Sequence, residues 1–573
     1  MDKRFFLALL LTAIVIIAPP LFFQRGGVQR ATSGVDTSRA LNRADTNKQA
    51  PAPAAEAPAQ TAGAAEVPSQ NAAPVQAPVE TTTVETRLAR YRFTSQGAVP
   101  ISVALDSYPS RRPGAAAKAA SQLLPAKTAL AHLRLALGAD TISLDTVSLR
   151  GQTTPGTTGP TVTYTGAVAG RPLTLTYSVV ADSFLLRVAA SVAGAPAGSA
   201  LLLTLPKTLQ SNEPDTLDDM HHLAVSYRLK SGGDIESVAF SKLDSGEVRT
   251  EARQAEWVAT RNKYFLVAYR AAPKTPFTGV LLQGLPRSGK VANAISASVV
   301  LPLTPDGRAA FDIYTGPQDF ERLQKLGGDL DQVNPYGGIL RAVVQPFAVI
   351  VMKVLLWIKR TTHLNYGWVL VLFGVIIRLA LWPLNQGAMR TSLKMQRLQP
   401  ELQALQKKYS DDPRKQQEAI MKVYKDHGMS PLSPLMGCLP MLLPMPVLFA
   451  LYFVFQNTIE FRGVPFLWLP DISLRDPFFI TPILMGLSMF LMSWIGMRNA
   501  PPNPQAKMMM FMMPVMLTVL FFNFASGLNL YYAVQNVAAI PQQWLLARER
   551  AKEPPPATAV VRGMPAPAQK RRS

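Results

Sequence analysis

The residue with the strongest claim on function is an arginine inside an apolar run. Val369 to Leu384 reads VLVLFGVIIRLALWPL, and Arg378 is its single permanent charge. A guanidinium does not lose its proton in a protein, so at membrane depth it must be paired, hydrated or drawn to an interface. On an insertion scale, arginine at mid-membrane costs about 2.5–3.5 kcal/mol and strongly apolar residues return about 0.3–0.6 each. About ten such neighbours balance it, so the segment can insert, but nothing local explains the charge. A salt bridge would need a carboxylate at the same depth, and the apolar segments delimited below contain no Asp or Glu. Snorkelling is open to a side chain about six residues, or about 9 Å, from the end of its span. The remaining reading is an arginine facing a water-filled cavity between helices. The uncharged polar residues available to line it are Gln456, Asn457, Ser488, Asn523, Asn529, Gln535 and Asn536. A lone cation in such a groove would attract carboxylates or polar backbone from a transient guest.

Other chemistries are poorly supplied. The spans hold no Asp, Glu, His or Lys for a proton relay, and no aspartate pair, histidine metal motif or Ser–Lys pairing for a protease. No GxxxxGK[ST] loop is present, so no nucleotide site is expected. The single cysteine, Cys438, excludes an intramolecular disulfide and reads as a small buried hydrophobe. His221 and His222 are adjacent; on a strand, neighbours face opposite ways, so a shared role is not expected. No cofactor, metal or catalytic residue is predicted.

The elements that position Arg378 follow from hydropathy and charge. Lys3 and Arg4 precede the apolar run Phe5 to Phe23, which is about the 20 residues needed to cross a bilayer. Without a small-x-small cleavage site after it, residues 1–24 read as a retained anchor rather than a cleaved signal. Further spans are expected at 366–384, 431–455, 478–497, 508–524 and 528–546. With the anchor as first crossing, the loop 385–430 is cytoplasmic, and it carries Arg390, Lys394, Arg397, Lys407, Lys408, Arg414, Lys415, Lys422 and Lys425. The loop 458–477 is outside, with Arg462 and Arg475 against Glu460, Asp471 and Asp476. The basic tail 547–573 is inside, so both termini are expected in the cytoplasm. Counting Gly337–Ile358 as a crossing would invert all of this, so 331–365 reads as an interfacial amphipathic segment on the outer face. The net charge of +21 thus follows membrane topology, and no DNA partner is expected.

Two soluble regions remain. In the loop 385–430, Leu398, Leu402, Leu405 and Tyr409 precede a break at Asp411–Pro413, and Ile420, Val423, Tyr424 and His427 follow it. That spacing predicts a helical hairpin pairing its apolar stripes, either a solvated connection or a docking surface. Residues 25–83 are rich in Ala, Pro, Gln and Thr and predict a disordered linker. From 84 to 330, segments such as TVTYTGAVAG and PLTLTYSVV alternate with period two between Gly, Pro and Asp breaks. They predict a large antiparallel β-sandwich, exported if the anchor crosses first.

Several long motifs, in order, carry a resemblance: GPQDFERLQKLGGDLDQVNPYG, IIRLALWPLN, MQRLQPELQALQKKYSDDPRKQQEAIMKVYKDHGMSPL, GCLPMLLPMPVLFALYFVF, DPFFITPILMGLSMF and SGLNLYYAVQNV. EWVATRNKYFLVAY adds to them within the β region. The chain resembles the Oxa/Alb/YidC family of membrane protein insertases. The resemblance implies a periplasmic β-supersandwich, a five-helix core enclosing a hydrophilic groove, and a cytoplasmic helical hairpin. It implies that Arg378 is the groove arginine and that Tyr531 and Tyr532 lie on the guest's exit path. Gln535, Asn536, Asn523 and Gln456 would complete the groove, and Arg397, Lys407, Lys408 and Lys415 would be the hairpin's contacts. Implied partners are nascent membrane proteins, the Sec translocon, the ribosome and membrane lipids. Gly374, Pro444 and Ala525 depart from the family pattern, and Gly374 lies one turn before Arg378. The competing expectation is a solute channel or transporter with an exported β domain.

Overall fold

The structure, a computed structural model, describes residues 79–552 except 117, 232, 234, 287–293, 335–340, 384–385, 388–397, 399–400, 403, 411, 428–444 and 499–503. The anchor 1–24, most of the linker, Cys438, Pro444 and most of the tail lie outside the described residues.

Among the described residues, nineteen strands occupy the first half, all paired antiparallel. They begin inside the expected linker, because Thr81–Glu85 pairs with Ala89–Thr94. With Val99–Pro109 and Ala120–Gln122 these form a four-stranded sheet. A nine-stranded sheet runs from Ile235–Ala239 through Ala224–Leu229, Ala255–Arg261, Phe265–Ala271, Arg308–Pro317, Leu185–Val192, Arg171–Val179 and Thr161–Val168 to Arg150–Thr154. A six-stranded sheet includes Val280–Gly284, Ile295–Pro302, Ala200–Thr204 and His132–Leu137. Period two sets the packing: along Ile295–Pro302 every second side chain is buried. Tyr269 crosses from the nine-stranded sheet to donate its hydroxyl to the Leu130 and Thr204 carbonyls at 2.7 and 3.4 Å. Tyr91 ties the four-stranded sheet to Thr315 at 3.0 Å, so one apolar core serves all three sheets.

His221 and His222 correct the strand expectation. They end the short helix α1 (Thr216–His221), whose start is capped when Asp215 accepts from the Asp218 N–H. A second helix, α2 (Phe320–Leu326), leads out of the β domain.

The second half is helical. It comprises α3 (Arg341–Thr362), α4 (Tyr366–Ala380), α5 (Pro413–Asp426), α6 (Met445–Asn457), α7 (Ile480–Met497), α8 (Pro504–Phe521) and α9 (Ser526–Lys552). Among the described residues, α7 alone is long and apolar enough to cross a bilayer as a single straight helix. Val344–Thr362 and Tyr366–Ala380 pass that test together but bend by 118° between them. Helix α3 leaves Phe347, Ile350 and Trp357 exposed while burying Val344, Ala348, Val351 and Leu355. Its first residue, Arg341, donates to the Ile235 carbonyl at 2.8 Å, and Arg360 near its end pairs with Glu321 of α2. Helix α9 continues past the expected end at Leu546 to Lys552.

The β domain is locked to the helices through the loop between α6 and α7. Ile459 enters the β-domain core. Arg462 Nε meets Glu213 Oε1 at 2.7 Å with both side chains under 8% exposed (3% and 7%), and its guanidinium lies over the Phe265 ring. Asp471 accepts from Arg111 Nη1 (2.9 Å), the Gly463 and Ser473 N–H groups and the Ser473 hydroxyl. Gly463 has φ +75°, a conformation that favours glycine, and a Cβ there would stand 2.2 Å from the Arg111 guanidinium and push it aside. The same loop reaches the helices: the Ser526 and Gly527 N–H groups donate to the Leu474 and Ile472 carbonyls, and Phe466 fills the space above Gly367.

Burying a charge pair makes each partner depend on the other. Arg462→Ala strands Glu213 and is expected to destabilise the folded chain by about 3–5 kcal/mol, whereas an Arg462→Met/Glu213→Leu double variant loses far less. Denaturant unfolding of the detergent-solubilised full chain checks this. Glu460 supplies a pH test. Burial, with Asp319 and Glu321 adding like charge, pushes its carboxyl up to about 8 despite N–H donation from Phe320, while Arg462, Arg322 and Arg360 flank the same neighbourhood. A carboxyl with a raised folded pKa binds more protons folded than unfolded, so its contribution is complete below about 4.5 and declines as pH rises through about 8. The melting temperature of the native chain should fall over that window relative to Glu460→Gln, which lacks the titration.

Candidate functional site

Helix α4 starts because Asn365 accepts from the Gly367 N–H, and it ends where Leu381 donates back to Ile377. A turn at Leu381 separates α4 from the helical residues Trp382 and Pro383. Arg378 therefore sits in the last turn, nearer the helix end than the expected span to Leu384 placed it. A cation there faces the negative end of the helix dipole. Leu370, Gly374 and Arg378 share one face at intervals of four residues, and this face meets α9.

Arg378 is half-buried. Its Nη2 donates to Gln542 Oε1 at 2.7 Å, and its Nε is buried without a partner among the described residues. Gln542 is 3% exposed, and its Nε2 reaches the Trp382 carbonyl at 3.5 Å. One amide thus touches both the arginine and the chain just beyond α4. A turn closer to the β domain, Gln535 Nε2 donates to the Gly374 carbonyl (2.9 Å) and to the Tyr531 hydroxyl (3.1 Å). Tyr531 is buried beside Phe373, ring centroids 5.7 Å apart. A Cβ on Gly374 would lie 2.9 Å from Val534 Cγ1. The departure at Gly374 therefore has a structural reason, the close approach of α4 and α9.

The other sequence candidates divide. Asn536 is buried and donates to the Met485 carbonyl and the Ser488 hydroxyl, so it joins α9 to α7 rather than facing Arg378. Asn529 is buried and donates to the Phe521 carbonyl. Tyr532 is half-buried against Phe521, centroids 5.5 Å apart. Gln456 ends α6 and Asn523 lies in the turn between α8 and α9, both beside the loop that meets the β domain. From the start of α4 at that end to Arg378 is about 18 Å at 1.5 Å per residue, so these two belong to another level. Of the hairpin residues, Arg397 lies outside the described residues. Lys407 and Lys408 are exposed, and exposed Lys415 pairs with Asp412 at 3.2 Å. Leu398, Val423 and Tyr424 pack together with Leu402, Leu405 and Ile420.

Gln542 was absent from the sequence candidates. The available signal was its spacing of seven from Gln535, which puts both amides on one face of a helix. Gly374→Val is expected to force α4 from α9 and to cost about 1–3 kcal/mol, with Val534→Ala in the same chain restoring part of it. Thermal unfolding in detergent reads both.

Comparison with known proteins covers both halves. A family model described as "60Kd inner membrane protein" matches residues 357–553, and one described as "YidC periplasmic domain" matches 81–350. "Membrane protein insertase YidC" of Chlorobaculum tepidum is 31% identical over 502 residues, covering 81% of each chain. The protein so named in Stutzerimonas stutzeri is 32% identical over 320 residues, covering 54% of each. A solved structure described as "Active YidC insertase crystal structure with the first transmembrane domain resolved" is 19% identical, spans 82% of this chain and 95% of that one, and has a TM-score of 0.34. On that identity and coverage, this chain belongs to the YidC family of membrane protein insertases, non-enzymatic inner-membrane proteins that carry a periplasmic domain.

Proposed function

We propose that the chain inserts nascent membrane proteins into the bacterial inner membrane and helps them fold, using a cytoplasm-facing groove centred on Arg378. The observation that carries this reading is a guanidinium in an apolar helix whose bonded partner is a neutral amide and whose Nε is buried with no partner among the described residues. A cation so held has unmet capacity for a carboxylate or a peptide carbonyl. In this reading the spans 366–384, 431–455, 478–497, 508–524 and 528–546 form a five-helix core. The groove shortens the apolar path for a polar segment, Arg378 holds that segment transiently, and burial of the guest's apolar residues in lipid drives release. Tyr531 and Tyr532 flank the exit, with Gln535, Asn536, Asn523 and Gln456 as further polar groups of the core. No nucleotide hydrolysis is involved. The hairpin 385–430, through Arg397, Lys407, Lys408 and Lys415, and the basic tail meet the ribosome, Sec components or nascent chain from the cytoplasm, where both termini lie. The β domain is periplasmic.

Reconstitution in liposomes tests the reading. Insertion of a short single-span guest without ATP supports it, and solute flux without insertion would establish a channel or transporter instead. Losing a charged hydrogen bond of about 1.5–3 kcal/mol means holding weakened about ten- to hundredfold. Arg378→Ala should therefore impair guests with acidic exported tails, and Arg378→Lys should retain more activity. An alanine variant as active as the native chain would show that the arginine only anchors its helix.

A further inference from the structure

We infer that Gln542 is the positioning residue for Arg378: its neutral amide holds the guanidinium in the guest-free chain and yields it to a guest carboxylate. This rests on the groove reading above. The amide is fixed rather than incidental. Gln542 is 3% exposed, its Oε1 lies 2.7 Å from Arg378 Nη2, and its Nε2 is directed at the Trp382 carbonyl. Pro541, immediately before it, has no N–H to close the turn on the Val537 carbonyl, so the backbone is loosened where this side chain leaves α9.

The choice of an amide over a carboxylate has a consequence. A hydrogen bond with an ionised donor or acceptor is about twice as strong as a neutral one, and a carboxylate adds to that an attraction between opposite charges that an amide lacks. Gln542 therefore orients the arginine without neutralising it, and a carboxylate arriving from a guest outcompetes it. A glutamate at the same place would be a resident anion beside the guanidinium and would remove that advantage. Arg378 Nε, buried and without a partner among the described residues, is a further donor for a guest that reaches this depth. The Gln535 bond to the Gly374 carbonyl, one helical turn away, keeps α4 and α9 close enough for the exchange.

The test uses the full chain in liposomes with two guests that differ only in whether the exported tail is acidic or neutralised. The readout is the ratio of acidic-guest to neutral-guest insertion, with the half-saturating guest concentration. Gln542→Glu should lower that ratio about tenfold, the order expected when a charged partner replaces a neutral one. Gln542→Met, similar in length but without an acceptor, should raise the half-saturating concentration for the acidic guest more than it lowers the maximal rate. A structural role alone would lower both guests alike and leave the ratio unchanged. If Gln542→Glu fails to fold, the Gln542→Met ratio decides: a lower ratio supports the assignment, and an unchanged ratio overturns it. If Arg378→Ala is impaired for acidic guests but neither Gln542 variant alters the ratio, only the positioning role fails. If Arg378→Ala inserts acidic guests normally, the groove reading itself is what fails.

Discussion

A guanidinium inside an apolar helix bundle has to be given acceptors, and here the bonded acceptor is an amide. That constraint organises the helical half of the chain. Helix α4 ends just beyond Arg378, and the Trp382 carbonyl lies 3.5 Å from Gln542 Nε2. The constraint requires α4 and α9 to run close, which glycine at 374 permits and the Gln535 bond maintains. It also requires the remaining polar residues of the bundle to be occupied elsewhere. The amide nitrogens of Asn536 and Asn529 donate to neighbouring carbonyls, and Arg378 Nε has no partner among the described residues.

At the other end of the bundle the requirement is rigidity. The loop between α6 and α7 is held by Arg462 with Glu213, by Arg111 with Asp471, and by Ile459 in the β-domain core. Its far side receives the first N–H groups of α9 and packs Phe466 on Gly367 of α4. The two helices that meet at Arg378 are therefore fixed at the same loop that anchors the β domain. At the Arg378 end, α4 breaks at Leu381 and the amide contact to the arginine is a single hydrogen bond.

Much of this was legible from residue patterns. Period-two alternation in segments such as Arg171–Val179 announced the sheets, and Leu398, Leu402, Ile420 and Val423 belong to one apolar cluster. Arg378 stood out because charge in an apolar run is costly. What was hidden depends on contacts distant in sequence. The Arg462–Glu213 pair spans 249 residues and Arg378–Gln542 spans 164, and no local pattern encodes either. Asn536 looked like groove lining because a polar residue in a span suggests water. Its bonds to Met485 and Ser488 show that a neighbouring helix serves equally well. The histidines misled in another way, since a capped helical turn at Asp215 replaced the strand that alternation suggested.

The most direct measurement is site-specific photocrosslinking from position 532 during insertion of a single-span guest with an acidic exported tail. The probe stands on α9, on the proposed path and clear of the Arg378–Gln542 contact. If Arg378 holds the guest in this groove, the native chain forms adducts with the guest's polar tail early in insertion, and Arg378→Ala loses them. Equal adducts with and without the arginine, or adducts with the apolar span alone, would contradict the account.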